Sequence, residues 1–260
     1  MKTKKEIKAA YKLALASAKE RFVNECDDAE KTYKREIEEL HISLGKPAPK
    51  DPPKRSVLEE VGNSVTHGLG SVFAVVALVL MTLAADRAEE YISAVIYFLG
   101  LFCMFTMSCL YHAFPHGSGV KRLFRRFDYS GIYLLIGATF APVLICYFGD
   151  LFGFIFFAVQ WAVIAAGISL VGVFGPTRLR FLHIPMYVIL GWSALMLLPF
   201  MIFGGAVELA TWILLGGVIY TIGIIPFAIK IKASHFIWHF FVLAGAVAQW
   251  IGIYVHLYLA

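Results

Sequence analysis

Two of the eight histidines in this chain, His235 and His239, stand four residues apart. On a helix that spacing leaves about 40° between the side chains, so both imidazoles can meet one metal ion. A third imidazole, His112, follows Ser108 by one turn in a distant apolar run, in the pattern S-x-x-x-H. Three histidines on one ion leave a fourth position open for water, the arrangement of a catalytic zinc site. Zinc lowers the pKa of that water to about 7. Asp128 is a candidate to accept a hydrogen bond from the water or to act as its base. Ser108 is a candidate to hydrogen-bond the water or an oxyanion. Glu60, Asn63 and His67 fall at i, i+3 and i+7 and share one helical face, from which they can brace the ligands.

These residues must be positioned by membrane helices. Hydrophobic residues make up 59% of the 260 and charged ones 16%, against about 45–50% and about 25% in a soluble domain. A soluble single-domain enzyme is excluded. Apolar runs occupy approximately 61–85, 91–113, 128–148, 152–174, 181–203, 207–227 and 235–259. Each is about the 20 residues that a helix needs to cross a hydrocarbon core. The connections alternate in charge. Lys121, Arg122, Arg125 and Arg126, then Arg178 and Arg180, then Lys230 and Lys232 mark one side. The loop around Arg87 has three acids against it, and the other connections hold only Asp150 and Glu208. The positive-inside rule then predicts a cytoplasmic N-terminus, an extracytoplasmic C-terminus and seven spans. With that topology Glu60, Asn63, His67, Ser108, His112, Asp128, His235 and His239 converge at the cytoplasmic ends of four helices. A polar group at membrane depth is expensive, and convergence at one depth marks a functional site.

Residues 2–44 read differently. They lack Gly and Pro, and Ile7, Tyr11, Leu15, Ala18, Phe22, Cys26, Ala29, Tyr33, Ile37, Leu40 and Leu44 recur at spacings of 4, 4 and 3. That period, about 3.67, predicts one long amphipathic helix with an apolar stripe on a single face. Its near-neutral mixture of Lys and Glu disfavours a bilayer surface and favours a protein contact, with a second copy or a partner. The organisation is therefore an all-α chain: a cytoplasmic helix at 1–45, a Pro-rich linker at 46–58 and a seven-helix membrane domain at 59–260. The basic residues form no stripe with stacking aromatics, so nucleic acid is not a partner. The four cysteines show no metal or redox spacing, and the first 20 residues show no secretory signal. His41, His116, His183 and His256 have no partner in the pattern and read as ordinary structural or interfacial residues.

The motifs E-x-x-N-x-x-T-H-x-x-G at Glu60–Gly70, S-x-x-x-H at Ser108–His112, Asp128, and H-x-x-x-H at His235–His239 together resemble the hemolysin III family. That family is related to the progestin and adiponectin receptors and, more widely, to alkaline ceramidases. The resemblance covers about residues 55–260. It implies a zinc ion on His112, His235 and His239, with Asp128 and Ser108 beside it, in a seven-helix membrane protein; the minimal loops between the spans point to a bacterial plasma membrane. It also implies hydrolysis of a lipid amide or ester in membrane lipid homeostasis. A membrane-state receptor with structural zinc is the alternative. A cytolysin is disfavoured, because a pore should carry polar residues through the full bilayer, and the middles of these spans are Leu, Ile, Val and Phe.

Overall fold

The computed structural model describes residues 4–43, 52–229 and 233–260. The Pro-rich stretch up to residue 51 and the pair Lys230 and Lys232 lie outside these residues. The chain divides into two compact units, Met1–Asp51 and Pro52–Ala260. The described residues of the first unit form one helix, α1 (Lys4–Ser43), unbroken because nothing in it stops an α-helix.

The second unit carries α2 (Val57–Ala84), α3 (Ala88–Ala113), α4 (Gly119–Pro142), α5 (Leu151–Phe174), α6 (Arg180–Trp192), α7 (Leu198–Phe203), α8 (Val207–Ile229) and α9 (Ser234–Ile253). Among the described residues the helices group into seven segments long and apolar enough to cross a membrane. Pro142 ends the regular part of α4, whose path continues as a π-helical segment through Phe148. The fifth crossing is broken by a 3₁₀ turn at Ser193–Met196, with Pro199 just inside α7. Polar side chains mark the helix starts. The hydroxyls of Ser56 and Ser118 and the carboxylate of Asp150 accept from backbone N–H groups in the first turns of α2, α4 and α5, caps worth about 1 kcal/mol each.

Lipid gives helices no hydrophobic reason to associate, so close packing of small residues must do it. α3 runs between α2 and α4, and α9 packs on α8 and reaches back to α2. The α3–α4 crossing depends on glycine. A Cβ on Gly100 would stand 2.8 Å from the Leu134 carbonyl oxygen, and one on Gly131 would stand 2.9 Å from Met104 Cα. Both obstacles are backbone, so no side-chain rotation could relieve them. A continuous core of Tyr97, Leu101, Met104, Phe105, Ala138 and Leu144 fills the centre, extended by Met201, Leu209 and Ala246.

One sequence boundary needs correction. The third crossing was expected from residue 128, with the basic residues before it in a loop. It starts at Gly119, and Lys121 and Arg125 are buried on its first turns. The apolar window misses this stretch because it holds four basic residues, two of them buried: Lys121, paired with Glu60, and Arg125, which lies over the Tyr129 ring.

Candidate metal centre

The start of α2, the end of α3, the start of α4 and the start of α9 meet at one end of the bundle. His112 closes the last turns of α3, and His235 and His239 sit on successive turns of α9. His112 and His239 are buried and His235 is half-buried. His235 Nε2 lies 3.1 Å from His112 Nε2 and 3.2 Å from His239 Nε2. Nitrogens at about 2.0–2.1 Å from a tetrahedral ion stand roughly 3.3–3.4 Å apart, so the spacing fits one shared ion.

The other ring nitrogens decide the protonation pattern. His112 Nδ1 meets Glu60 Oε2 at 2.5 Å, and His239 Nδ1 meets the Asn63 backbone carbonyl at 3.2 Å. Both partners only accept, so Nδ1 carries the hydrogen in each ring and Nε2 keeps its lone pair. Lone pairs from His112 and His239 thus face a third Nε2 at hydrogen-bond distance. One proton on His235 could serve only one of them, whereas a cation serves all three. The donor set therefore fits a metal ion, and zinc among the metals that favour imidazole.

The three residues of α2 play different parts. Glu60 takes the His112 N–H. Asn63 contributes its backbone carbonyl to His239, while its side-chain amide lies 3.4 Å from His112 Nδ1. His67 makes no hydrogen bond through either ring nitrogen. It stacks on the His239 ring, with centroids 3.6 Å apart and planes 12° from parallel, and meets Phe105 edge-on. It braces the His239 ring by stacking on it.

Ser108 lies one turn before His112, fully buried, and its hydroxyl has no hydrogen-bond partner within ordinary geometry. Asp128 faces it from α4, with its carboxylate near the Ser108 hydroxyl on looser hydrogen-bond geometry and in electrostatic reach of His112. Asp128 is not one of the three residues whose ligand atoms cluster. The serine and the carboxylate therefore border the imidazoles without joining them.

Lys121 was absent from the sequence-based candidates. It is 1% exposed, and its ammonium lies 3.2 Å from Glu60 Oε1. It also donates to the carbonyls of Tyr111 and Phe114, both at 2.9 Å, and of His112 at 3.4 Å. It thus satisfies the open end of α3, where a cation is favoured, and anchors the carboxylate that orients His112. A signal existed. Lys121, Arg125 and Asp128 fall at i, i+4 and i+7 and share a face once the helix is extended back to its Ser118 cap.

His183 and His116 lie outside the cluster. His183 is buried, and its Nδ1 pairs with the Tyr133 hydroxyl at 2.9 Å. It is a structural histidine, although it has the partner that the sequence did not reveal. His116 Nε2 meets the Pro52 carbonyl at 2.9 Å.

Seven apolar helices around a buried three-imidazole cluster define an integral membrane protein with a candidate metal centre at one end of its bundle. The sequence profile of the Haemolysin-III related family matches residues 55–250, and the chain belongs to that family. Among its relatives is Hemolysin-3 of Bacillus cereus, 30% identical over 194 residues, covering 73% of this chain and 88% of the relative. A Hemolysin-3 homolog of Bacillus subtilis is 28% identical over 198 residues, covering 75% and 92%. The human Monocyte to macrophage differentiation factor is 30% identical over 213 residues, covering 79% and 87%.

Proposed function

We propose that this protein is a zinc-dependent hydrolase of lipid amides or esters that serves membrane lipid homeostasis. The observation that carries the reading is the imidazole cluster, with two of its three Nδ1 atoms committed elsewhere and its Nε2 atoms 3.1 and 3.2 Å apart. His112, His235 and His239 would hold the ion. Zinc bound there would polarise an acyl carbonyl and lower the pKa of water to about 7. The chain supplies the rest. Asp128 takes the proton of the attacking water and returns it to the leaving amine or alcohol. The Ser108 hydroxyl, beside Asp128, donates to the carbonyl oxygen as charge develops on it. The centre lies at the ends of the spans, the depth at which the polar linkages of membrane lipids sit, so a lipid is the natural substrate.

The alternation of basic and acidic connections favours a cytoplasmic N-terminus and an extracytoplasmic C-terminus in a plasma membrane. That orientation puts the centre at the cytoplasmic face. α1 serves as a separate surface for protein, because its balanced charge gives little attraction to anionic lipid.

The test is zinc content and hydrolysis of ceramide-type and ester lipids by purified protein, beside Asp128→Asn. One zinc per chain and turnover reduced about 10²–10⁴-fold in the variant are expected. Zinc without turnover of any acyl lipid would overturn the hydrolase and favour a receptor with a structural ion. Release of dye from vesicles without lipid cleavage would favour a cytolysin.

A further inference from the structure

We propose that α1 pairs with α1 of a second copy in antiparallel fashion, residue n facing residue 51 − n, with the two Cys26 residues beside the two-fold axis. The inference rests on reading α1 as a protein-contact helix and is independent of the metal chemistry. The stripe it needs is open: Tyr11, Leu15, Phe22, Tyr33 and Leu40 are all exposed. A two-fold contact must be self-complementary, and this stripe is. In the stated register Tyr11 meets Leu40, Ala18 meets Tyr33 and Phe22 meets Ala29, while Leu15 lies beside Ile37. In two of these pairs a large side chain faces a small one, which lets the helices approach without overpacking.

The charges select the same arrangement. Lys4–Phe22 holds six basic and two acidic residues, and Val23–Ser43 holds three basic and seven acidic. A parallel pair in register would stack like on like. The antiparallel register sets Lys12 against Glu39, Arg21 against Glu30 and Glu20 against Lys31. From Tyr11 to Leu40 it brings no two like charges opposite each other. The 11-residue repeat keeps the stripe on one face along a nearly straight helix, so the contact extends over its whole length.

The experiment uses the full chain in membranes, with Cys103, Cys109 and Cys146 replaced by Ala. Mild oxidation should give a disulfide-linked dimer through Cys26, and a chain that stays monomeric would overturn self-association itself. With Cys26→Ala added, Ala18→Cys together with Tyr33→Cys should cross-link, whereas Ala18→Cys alone should not. In this register the two copies of residue 18 are about 22 Å apart at 1.5 Å per residue, beyond the reach of a disulfide. Cross-linking by Ala18→Cys alone would overturn the antiparallel order while leaving self-association standing. Lys12→Glu should lower the Cys26 cross-linking yield severalfold, and adding Glu39→Lys should restore it. Failure of the swap to restore the yield would overturn the register.

Discussion

Replacing Glu60 by Gln should weaken metal binding far more than it weakens the fold. The carboxylate has two tasks: Oε2 accepts from His112 Nδ1 and Oε1 receives the Lys121 ammonium, 3.2 Å away. An amide has one acceptor oxygen and one donor nitrogen. If its oxygen faces His112, its NH₂ group faces the ammonium, donor against donor. If its oxygen faces Lys121, its NH₂ group faces Nδ1 and drives the imidazole hydrogen to Nε2, the atom that must ligate. Either orientation damages the site. Loss of a residue that orients a metal ligand typically costs 10–100-fold in affinity, and this one should lie near the upper end, about 2.8 kcal/mol at 1.4 kcal/mol per tenfold. The fold should survive, because Lys121 keeps the backbone carbonyls of Tyr111, His112 and Phe114 at the end of α3. The assay is zinc competition against a chelator of known affinity, with thermal unfolding of the same samples as the control. A folded Glu60→Gln protein that binds zinc as tightly as the parent would refute the role given to His112 Nδ1.

Further outcomes follow from the same geometry. His239→Ala should remove most bound metal by elemental analysis, since two neutral imidazoles hold zinc weakly; full occupancy would refute the ligand set. Lys121→Met should lower stability by about 3–5 kcal/mol, because it strands a partly buried carboxylate and the α3 carbonyls; an unchanged unfolding temperature would show that its contacts are dispensable. Gly131→Leu should destabilise the α3–α4 crossing by at least about 1–3 kcal/mol, and an unshifted unfolding transition would show that the helices can separate freely there. Cysteines replacing Ser118 should label only from the cytoplasm, and those replacing Asp150 or Ala260 only from outside; the reverse pattern would invert the orientation.

The seven crossings were legible in the sequence because the bilayer fixes both the length and the polarity of a spanning helix. The sequence also contained the three imidazoles, since i, i+4 spacing and a common depth are properties of the chain and its topology. It did not contain the division of labour around them. Whether His67 hydrogen-bonds an imidazole of the cluster or stacks on one depends on how α2 rotates against α9, and it stacks on His239. Whether Lys121 is a loop charge or a buried anchor depends on where α4 begins and on the carboxylate that α2 presents to it. Both facts arise where separate helices meet. Periodicity reports which face of a helix is buried, and only packing reports what that face touches.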